Sequence, residues 1–588
     1  MKILFFSPHA YFSVHALPEA VVAEALAHAG HDIHMVSCDG LYRRHCLAMS
    51  NVDYADQEKK RRICSDCKTN RDAIGVEFDF PTTRIDAYLT ADEERQASAS
   101  ALGLDRTNYL QFELDGIPVA RYALYEFWLN HKLSSEEIEV DLWPEYLAIF
   151  ENTLKTLFAS RRMMDALKPA RIVCYNSLYS VNRVMVAVAE QKSIPHFTLH
   201  AGRHHTRRLQ QMTIYKGIGY GVLINQLPMV QIYRNRPCAP AQIDIVTEHV
   251  RELFKATSPW VYSIRGGRQT SSELCTRYGV KAGQKVLLAV MRSNDERLAA
   301  RIAGVTHYDG TPLFADQYEW LTWLVEFAKA NLQYVIIFRI HPREFPNKRE
   351  GVTSQNAYAF QKFIEKIDFP VNFHINLPTD QLSLHDLLKI TDVLLNNTST
   401  AGLEASLFGI PVVGVRDTLY AFDTLLQVEP VSLEDYVNKI ANACVQGWSI
   451  DKVIKAYRWL NYLNSETSID ISEAYNPNIQ APTTYLERVA KKIMFKLKGK
   501  LGVKGLFKEV FGRNISSENS EKLVYAIVNN ADSHIGAFPL IGCGDPVIER
   551  QLISQEHKSI MQSICNSDDI LFQAKLRSCL GADFRDDI

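Results

Sequence analysis

The sequence predicts an α/β protein with two parallel-sheet domains, and three segments carry that expectation. The chain opens on the apolar run Lys2-Ile3-Leu4-Phe5-Phe6, passes through residues 17–29 with helical apolar spacing, and reaches a second apolar run, 33–37, after Gly30. Strand, helix, strand is the order a parallel crossover needs. A second such unit spans 392–414: Asp392-Val393-Leu394-Leu395, a run of hydroxyls, a short helix, then Ile410-Pro411-Val412-Val413. The third segment, 334–344, is a β-branched strand that ends in Arg339, His341, Arg343 and Glu344. Pro342 biases His341 away from helical geometry, so the strand stops there in an extended turn.

Composition agrees with a soluble globular protein. At 588 residues the chain can bury several cores, with 47% hydrophobic and 22% charged residues. A net charge of −2 gives no electrostatic case for nucleic acid. The apolar start is too short for a signal peptide and reads as a first strand. No run approaches the ~18 apolar residues of a transmembrane helix. The expected location is cytoplasmic.

The two polar clusters carry the chemistry. Thr398, Ser399 and Thr400 stand where hydroxyls can cap a helix whose free N–H groups and positive dipole end favour an anion. Glu404, one turn in, suits a pair of ribose hydroxyls instead. Phosphate below and ribose beside it describe a nucleotide-sugar site; an ordinary helix cap is the alternative. His341 can donate to phosphate and Arg339 and Arg343 can neutralise it. A turn histidine beside Pro342, and an Arg339 paired with a structural carboxylate, are the bland counterparts. Both clusters fall at strand carboxyl ends, where open parallel sheets bind ligands.

Taken together, Arg339-Ile340-His341-Pro342-Arg343-Glu344 and residues 397–413 resemble the nucleotide-binding half of GT-B glycosyltransferases. The likeness is to bacterial capsule and surface-polysaccharide transferases similar to the CMP-sugar-dependent Kdo and sialic acid enzymes. It covers about 285–415 well and the N-terminal half weakly. It implies two Rossmann-like domains facing a cleft, with a helical C-terminal extension: an acceptor-side domain over 1–255 with an insertion near 40–170, a linker over 256–284, a nucleotide-sugar domain over 285–465, and a partly basic extension over 466–588. By motif, His341, Thr398, Ser399 and Glu404 become donor-binding positions. Asn396 stands where retaining enzymes of the E-x7-E type would have glutamate, which argues against that subgroup. The implied activity moves a sugar from a CMP- or UDP-type donor to a surface polysaccharide or lipid-linked glycan. A 2-epimerase, a polyol-phosphate transferase and a non-catalytic scaffold are the alternatives. Helix dipole and cations would stabilise the leaving group, so no metal is required for catalysis. Asp295 and Glu296, which follow a strand facing the cleft, are the first candidates for the catalytic carboxylate, with His200 beside them.

In the first half, a strand, polar turn and helix over 170–183 and a strand over 194–200 bring Asn176, Asn182, Arg183 and His200 to strand ends, with His9 on the first strand's exit loop. These are acceptor-side candidates; a structural polar network is the alternative. The run 204–208 reads as a solvated basic turn. Of eleven cysteines, Cys38, Cys46, Cys64 and Cys67 cluster, and only the last two have CxxC spacing. Two readings stay open for them: a structural zinc knuckle and ordinary thiols. Segment 491–508 mixes lysines with large apolar residues, as a helix on an anionic inner-membrane surface would, or a basic helix packed on the enzyme.

Overall fold

In the computed structural model the described residues are 1–219, 230, 232–256, 261–262, 264–267, 269–304, 313–347, 351–415, 423–475, 515–539, 542–564 and 569–581, with Leu486, Val489, Ile493 and Leu497. Among the described residues, twelve strands form two sheets. The first contains β1 (Lys2–Phe6), β2 (Asp32–Ser37), β3 (Thr82–Arg84), β4 (Arg171–Tyr175), β5 (His196–Ala201), β6 (Gln211–Lys216) and β12 (Ile469–Asp470), in the order β12-β6-β5-β4-β1-β2-β3. Strands β1 to β5 pair in parallel, and β6 and β12 close one edge antiparallel. The second contains β7 (Lys285–Val290), β8 (Tyr334–Arg339), β9 (Phe373–Asn376), β10 (Val393–Asn396) and β11 (Val412–Gly414), all parallel, in the order β11-β10-β7-β8-β9. These are two Rossmann-like α/β domains.

Side-chain alternation explains why both strand runs are apolar throughout. Ile3 and Phe5 point into one core with the Ser13–His28 helix, and Leu4 and Phe6 into another with Val119–His131 and Trp143–Leu167. In β7, Val286 and Leu288 face one layer, Leu287 and Ala289 the other. A parallel strand covered by helices on both faces has no polar side to show. The 40–170 insertion is helical and forms one of those layers. Its Ala91–Leu102 helix starts at a capping box, Thr90 with Glu93, each side chain bonded to the other's backbone N–H.

Chain order does not decide domain membership. Pro240–Lys255, assigned to the first domain by sequence, packs into the second domain's core, as does Ser271–Arg277 from the expected linker. The C-terminal extension divides: β12 and Ser517–Asn529 join the first domain, Pro546–Ser563 and Ile570–Leu580 the second. Glu549, 1% exposed, takes Arg458 on both oxygens, one of which also accepts the Cys238 N–H at 2.7 Å. Segment 491–508 lies outside the described residues except Ile493 and Leu497. Among the described residues no helix is long and apolar enough to cross a membrane.

Among the contacts that join the domains, two lie at the carboxyl ends of the sheets and involve buried side chains. The Asn294–Ile302 helix leaves β7 of the second sheet yet buries Ala299, Ala300 and Ile302 in the first domain's core, against Val119–His131. Arg183 Nε caps its end by donating to the Ala303 carbonyl at 3.2 Å. Beside it, Lys132 turns into the left-handed region (φ 47°) after Val119–His131, and its ammonium, 2% exposed, donates to the carbonyls of Arg343 (2.6 Å) and Val352 (3.0 Å). Lys132→Met keeps the stem's packing but leaves the buried Arg343 carbonyl, and the Val352 carbonyl at the surface, without this donor. It is expected to lower unfolding free energy by about 2–4 kcal/mol, measured as a shift in urea midpoint at unchanged slope.

Candidate functional site

The second sheet changes direction at β7. From it the chain runs outward to β8 and β9, then crosses back to β10 and β11 on the other side. Loops leaving β7 and β10 therefore diverge and open a crevice, which is where such sheets take ligands. The β10 loop is held from below. Asn396, fully buried, accepts the Ser399 N–H on Oδ1 (3.0 Å) and donates through Nδ2 to Gln427 Oε1 (2.9 Å). Thr398 is forced to φ +55°, a costly conformation for a β-branched residue, and its hydroxyl turns back to the Asn397 carbonyl at 2.8 Å. Ser399 Oγ accepts the Ala401 N–H at 3.3 Å, whereas Thr400, the cap residue, makes no side-chain cap bond. Of the three hydroxyls expected to cap the helix, only Ser399 does so.

His341 lies on the β8 loop, beside β7. Its Nδ1 accepts the Arg343 N–H at 3.2 Å, which places the proton of the neutral ring on Nε2 as a donor. Burial is the main reason its pKa drops to about 4, so the ring is neutral at pH 7 without a bound anion. Arg343 is buried and already paired: Nε with Asp295 (2.8 Å), and one terminal nitrogen with Glu296 (2.8 Å) and the Tyr262 hydroxyl (3.0 Å). Asp295, 5% exposed, spends its other oxygen on Ser293, while Glu296 remains half exposed at the start of its helix.

Arg339 is placed for structure. It is buried, donates to Asn376 Oδ1 and the Leu382 carbonyl, and is pulled down to about 10 chiefly by desolvation. Its expected carboxylate partner is an amide and a carbonyl instead. Glu404 is partly buried, with Oε2 on His385 Nε2 at 2.7 Å, and its charge also reaches His205 of the first domain.

The first sheet repeats the arrangement, changing direction between β1 and β4. There Glu19, 3% exposed, accepts the Tyr175 N–H (3.0 Å) and the Ser7 hydroxyl, and burial lifts its carboxyl to about 7. His15 stacks on Tyr175 with ring centroids 4.1 Å apart, and His200 stacks with the same ring at 5.9 Å. Burial pushes both histidines down to about 3. Asn176 takes φ +54°, and Asn182, buried, donates to the carbonyls of Tyr175 and Asn176. Asn182 and Arg183 thus build the turn and the domain contact. The 204–208 run is not solvated as expected: His204 is fully buried, accepts the Thr206 and Arg207 N–H groups, and packs with His205 around His249.

His9, Cys38, Cys46, Cys64 and Cys67 line one cavity of about 30 Å³. Every described cysteine is free, and no group of three or more His, Cys, Asp or Glu side chains among the described residues is arranged to hold a metal ion.

No family model matches the chain, and no curated protein matches it. Solved structures similar to it include KpsC of Thermosulfurimonas dismutans, a β-Kdo 2,4 transferase, at 14% identity over 49% of this chain and 79% of that one (TM-score 0.29). UDP-GlcNAc 2-epimerase of Methanocaldococcus jannaschii is 13% identical over 79% and 99% of the two chains (TM-score 0.24). The spinosyn rhamnosyltransferase SpnG is 10% identical over 78% and 95% (TM-score 0.23). Likeness of this degree decides neither donor nor acceptor.

Sequence reading passed over Lys132, Tyr262 and His385, which hold the loops of the second crevice. A lone lysine after an apolar helix and a tyrosine in an expected linker carry no local signal; for His385 the one available signal is Ser383, the cap of its helix. Glu19 gives a test of the first crevice. Its folded pKa of about 7 lies above the unfolded 4.5, so its contribution is fully present below pH 4.5 and is lost as pH rises through 7. Glu19→Gln is expected to be more stable than the parent at pH 8 than at pH 5 by a margin on the order of 2–3 kcal/mol, from urea unfolding at both pH values.

Proposed function

We propose that the protein is a GT-B-type glycosyltransferase that moves a sugar from a CMP- or UDP-type donor to a surface polysaccharide or lipid-linked glycan. The observation that carries this reading is the strained Thr398 turn at the point where the second sheet reverses, with the donor nitrogen of His341 on the β8 loop of the same sheet. Strain of this kind persists where surrounding structure over-determines it, and it clusters at ligand sites. In this reading the donor phosphate rests at the positive dipole end of the Ala401–Phe408 helix and on His341 Nε2–H. Thr398 and Ser399 shape that turn, and Glu404, with one oxygen fixed by His385, takes the ribose.

Arg343 fits a supporting part. Its charge is balanced by Asp295 and Glu296, so it orients His341 through their shared turn instead of meeting the phosphate bare. Asp295 has both oxygens engaged and holds Arg343, which leaves Glu296 as the more accessible carboxylate of that pair. Glu19, poised near neutrality between Ser7 and Tyr175, is the acceptor-side carboxyl best tuned to exchange a proton.

Thermal shift and calorimetry with CMP, CDP, UDP, GDP and TDP test the reading. One nucleotide is expected to stabilise the protein selectively. His341→Ala should weaken its binding about 10- to 100-fold with the melting temperature of the free protein little changed, as loss of a hydrogen bond to a charged group implies. Wild-type affinity in His341→Ala would remove the phosphate assignment. Donor consumption without any acceptor would point to an epimerase.

A further inference from the structure

We propose that His205, on the loop between β5 and β6 of the first sheet, is a positioning residue for Glu404 across the domain contact, and so sets the preference of the second crevice for a ribose. The inference rests on the reading of Glu404 as the ribose carboxylate. The loop, residues 202–210, is closed at its neck by the Gly202 N–H, which is shared by the carbonyls of Arg208 and Gln211 at 3.0 Å each. A side chain at Gly202 would collide with that of Gln211, so the neck closes only on glycine.

From the neck outward, the loop is pinned to the second domain. Gln211 Nε2 donates to the Asn464 carbonyl at 3.1 Å, and Asn464 Nδ2 donates to His249 Nδ1 at 3.1 Å. His249 is 2% exposed on the Pro240–Lys255 helix, within the second domain's core. Against it His204 and His205 pack edge to face, with ring centroids 4.7 and 4.8 Å away. Arg207 pairs with Glu248 of the same helix. Three consecutive turns of contact therefore fix where the His205 ring stands.

The same helix leads to Glu404. Further along it, Phe254 packs on His385 at 4.6 Å, and His385 Nε2 meets Glu404 at 2.7 Å. Glu404 is also the foremost charge acting on His205. The carboxylate is thus served by an imidazole from each domain, His385 from its own and His205 from the other. Burial holds His205 down at about 4, so its ring is neutral at pH 7. A neutral ring offers a carboxylate one N–H and leaves its negative charge in place, and that charge is what a ribose hydroxyl, as a donor, needs. Farther round the loop, Arg208 acts on Tyr175 and His200, so the loop borders the first crevice as well.

The test compares the nucleotide that stabilises the full chain best with its 2′-deoxy form, by calorimetry at pH 7. The parent is expected to bind the ribose form about 10- to 100-fold more tightly, the worth of a hydrogen bond to a charged group. His205→Ala and His205→Phe should each cut that preference to about 3-fold or less, with the deoxy form bound within about 2-fold of the parent. Phenylalanine keeps a ring packed on His249 and removes both nitrogens, so it decides the matter if His205→Ala fails to fold. Arg207→Ala breaks the exposed pair with Glu248 on the same loop and should keep the full preference. An unchanged preference in the His205 variants, or equal losses for ribose and deoxy forms, would overturn the role of His205 and leave Glu404 in place. A parent that binds no nucleotide, or binds both forms alike, would remove the ribose reading of Glu404 and this inference with it.

Discussion

Two buried cations, Lys132 and Arg343, meet at one peptide unit, and the geometry of the second crevice depends on how they are satisfied. Lys132 reaches across from the first domain to the carbonyl of Arg343, while the Arg343 side chain reaches back to Asp295 at the head of a helix packed in that same domain. Taking either charge out of water costs several kcal/mol unless oxygens replace the lost hydration. Here each has at least two oxygen partners, so the cost is met only when both domains and the β8 loop are in register. The arrangement makes the loop bearing His341 a part of the domain contact.

Around that node, polar residues separate into those consumed by the fold and those left to act. Asn396, Arg339, Asn182 and Arg183 spend their hydrogen-bonding capacity on backbone and neighbouring amides. Their work is to hold turns in conformations that would not persist alone, with Thr398 and Asn176 in the left-handed region at equivalent positions of the two sheets. His341 keeps its proton on Nε2, and Glu404 and Glu296 stay partly exposed. Burial then sets their character: the same desolvation that neutralises His341, His15 and His200 lifts Glu19 towards neutrality.

The first crevice is lined by aromatic and imidazole rings that are uncharged at pH 7, the second by charges balanced in pairs. A ring stack such as His15 on Tyr175 offers flat apolar surface with polar edges. The second crevice offers N–H donors over paired charge. Under the proposed activity this difference would suit a neutral glycan on one side and an anionic nucleotide on the other.

Strands, strand ends and most helices were legible because they are decided locally. Short apolar or β-branched runs predicted β1, β2 and β8, and the residue before Pro342 predicted the extended turn. The polar clusters at 339–344 and 396–404 were visible for the same reason, since a parallel strand leaves only its ends for polar residues. What tertiary structure alone decided is which of those polar groups are free. Asp295 reads as a candidate base until Arg343, 48 residues away, takes one oxygen; Arg339 reads as a phosphate ligand until Asn376 and Leu382 enclose it. The Asn294–Ile302 helix and Pro240–Lys255 likewise follow one domain in sequence and pack with the other in space. Burial and pairing are made by residues far apart along the chain, and no local spacing records them.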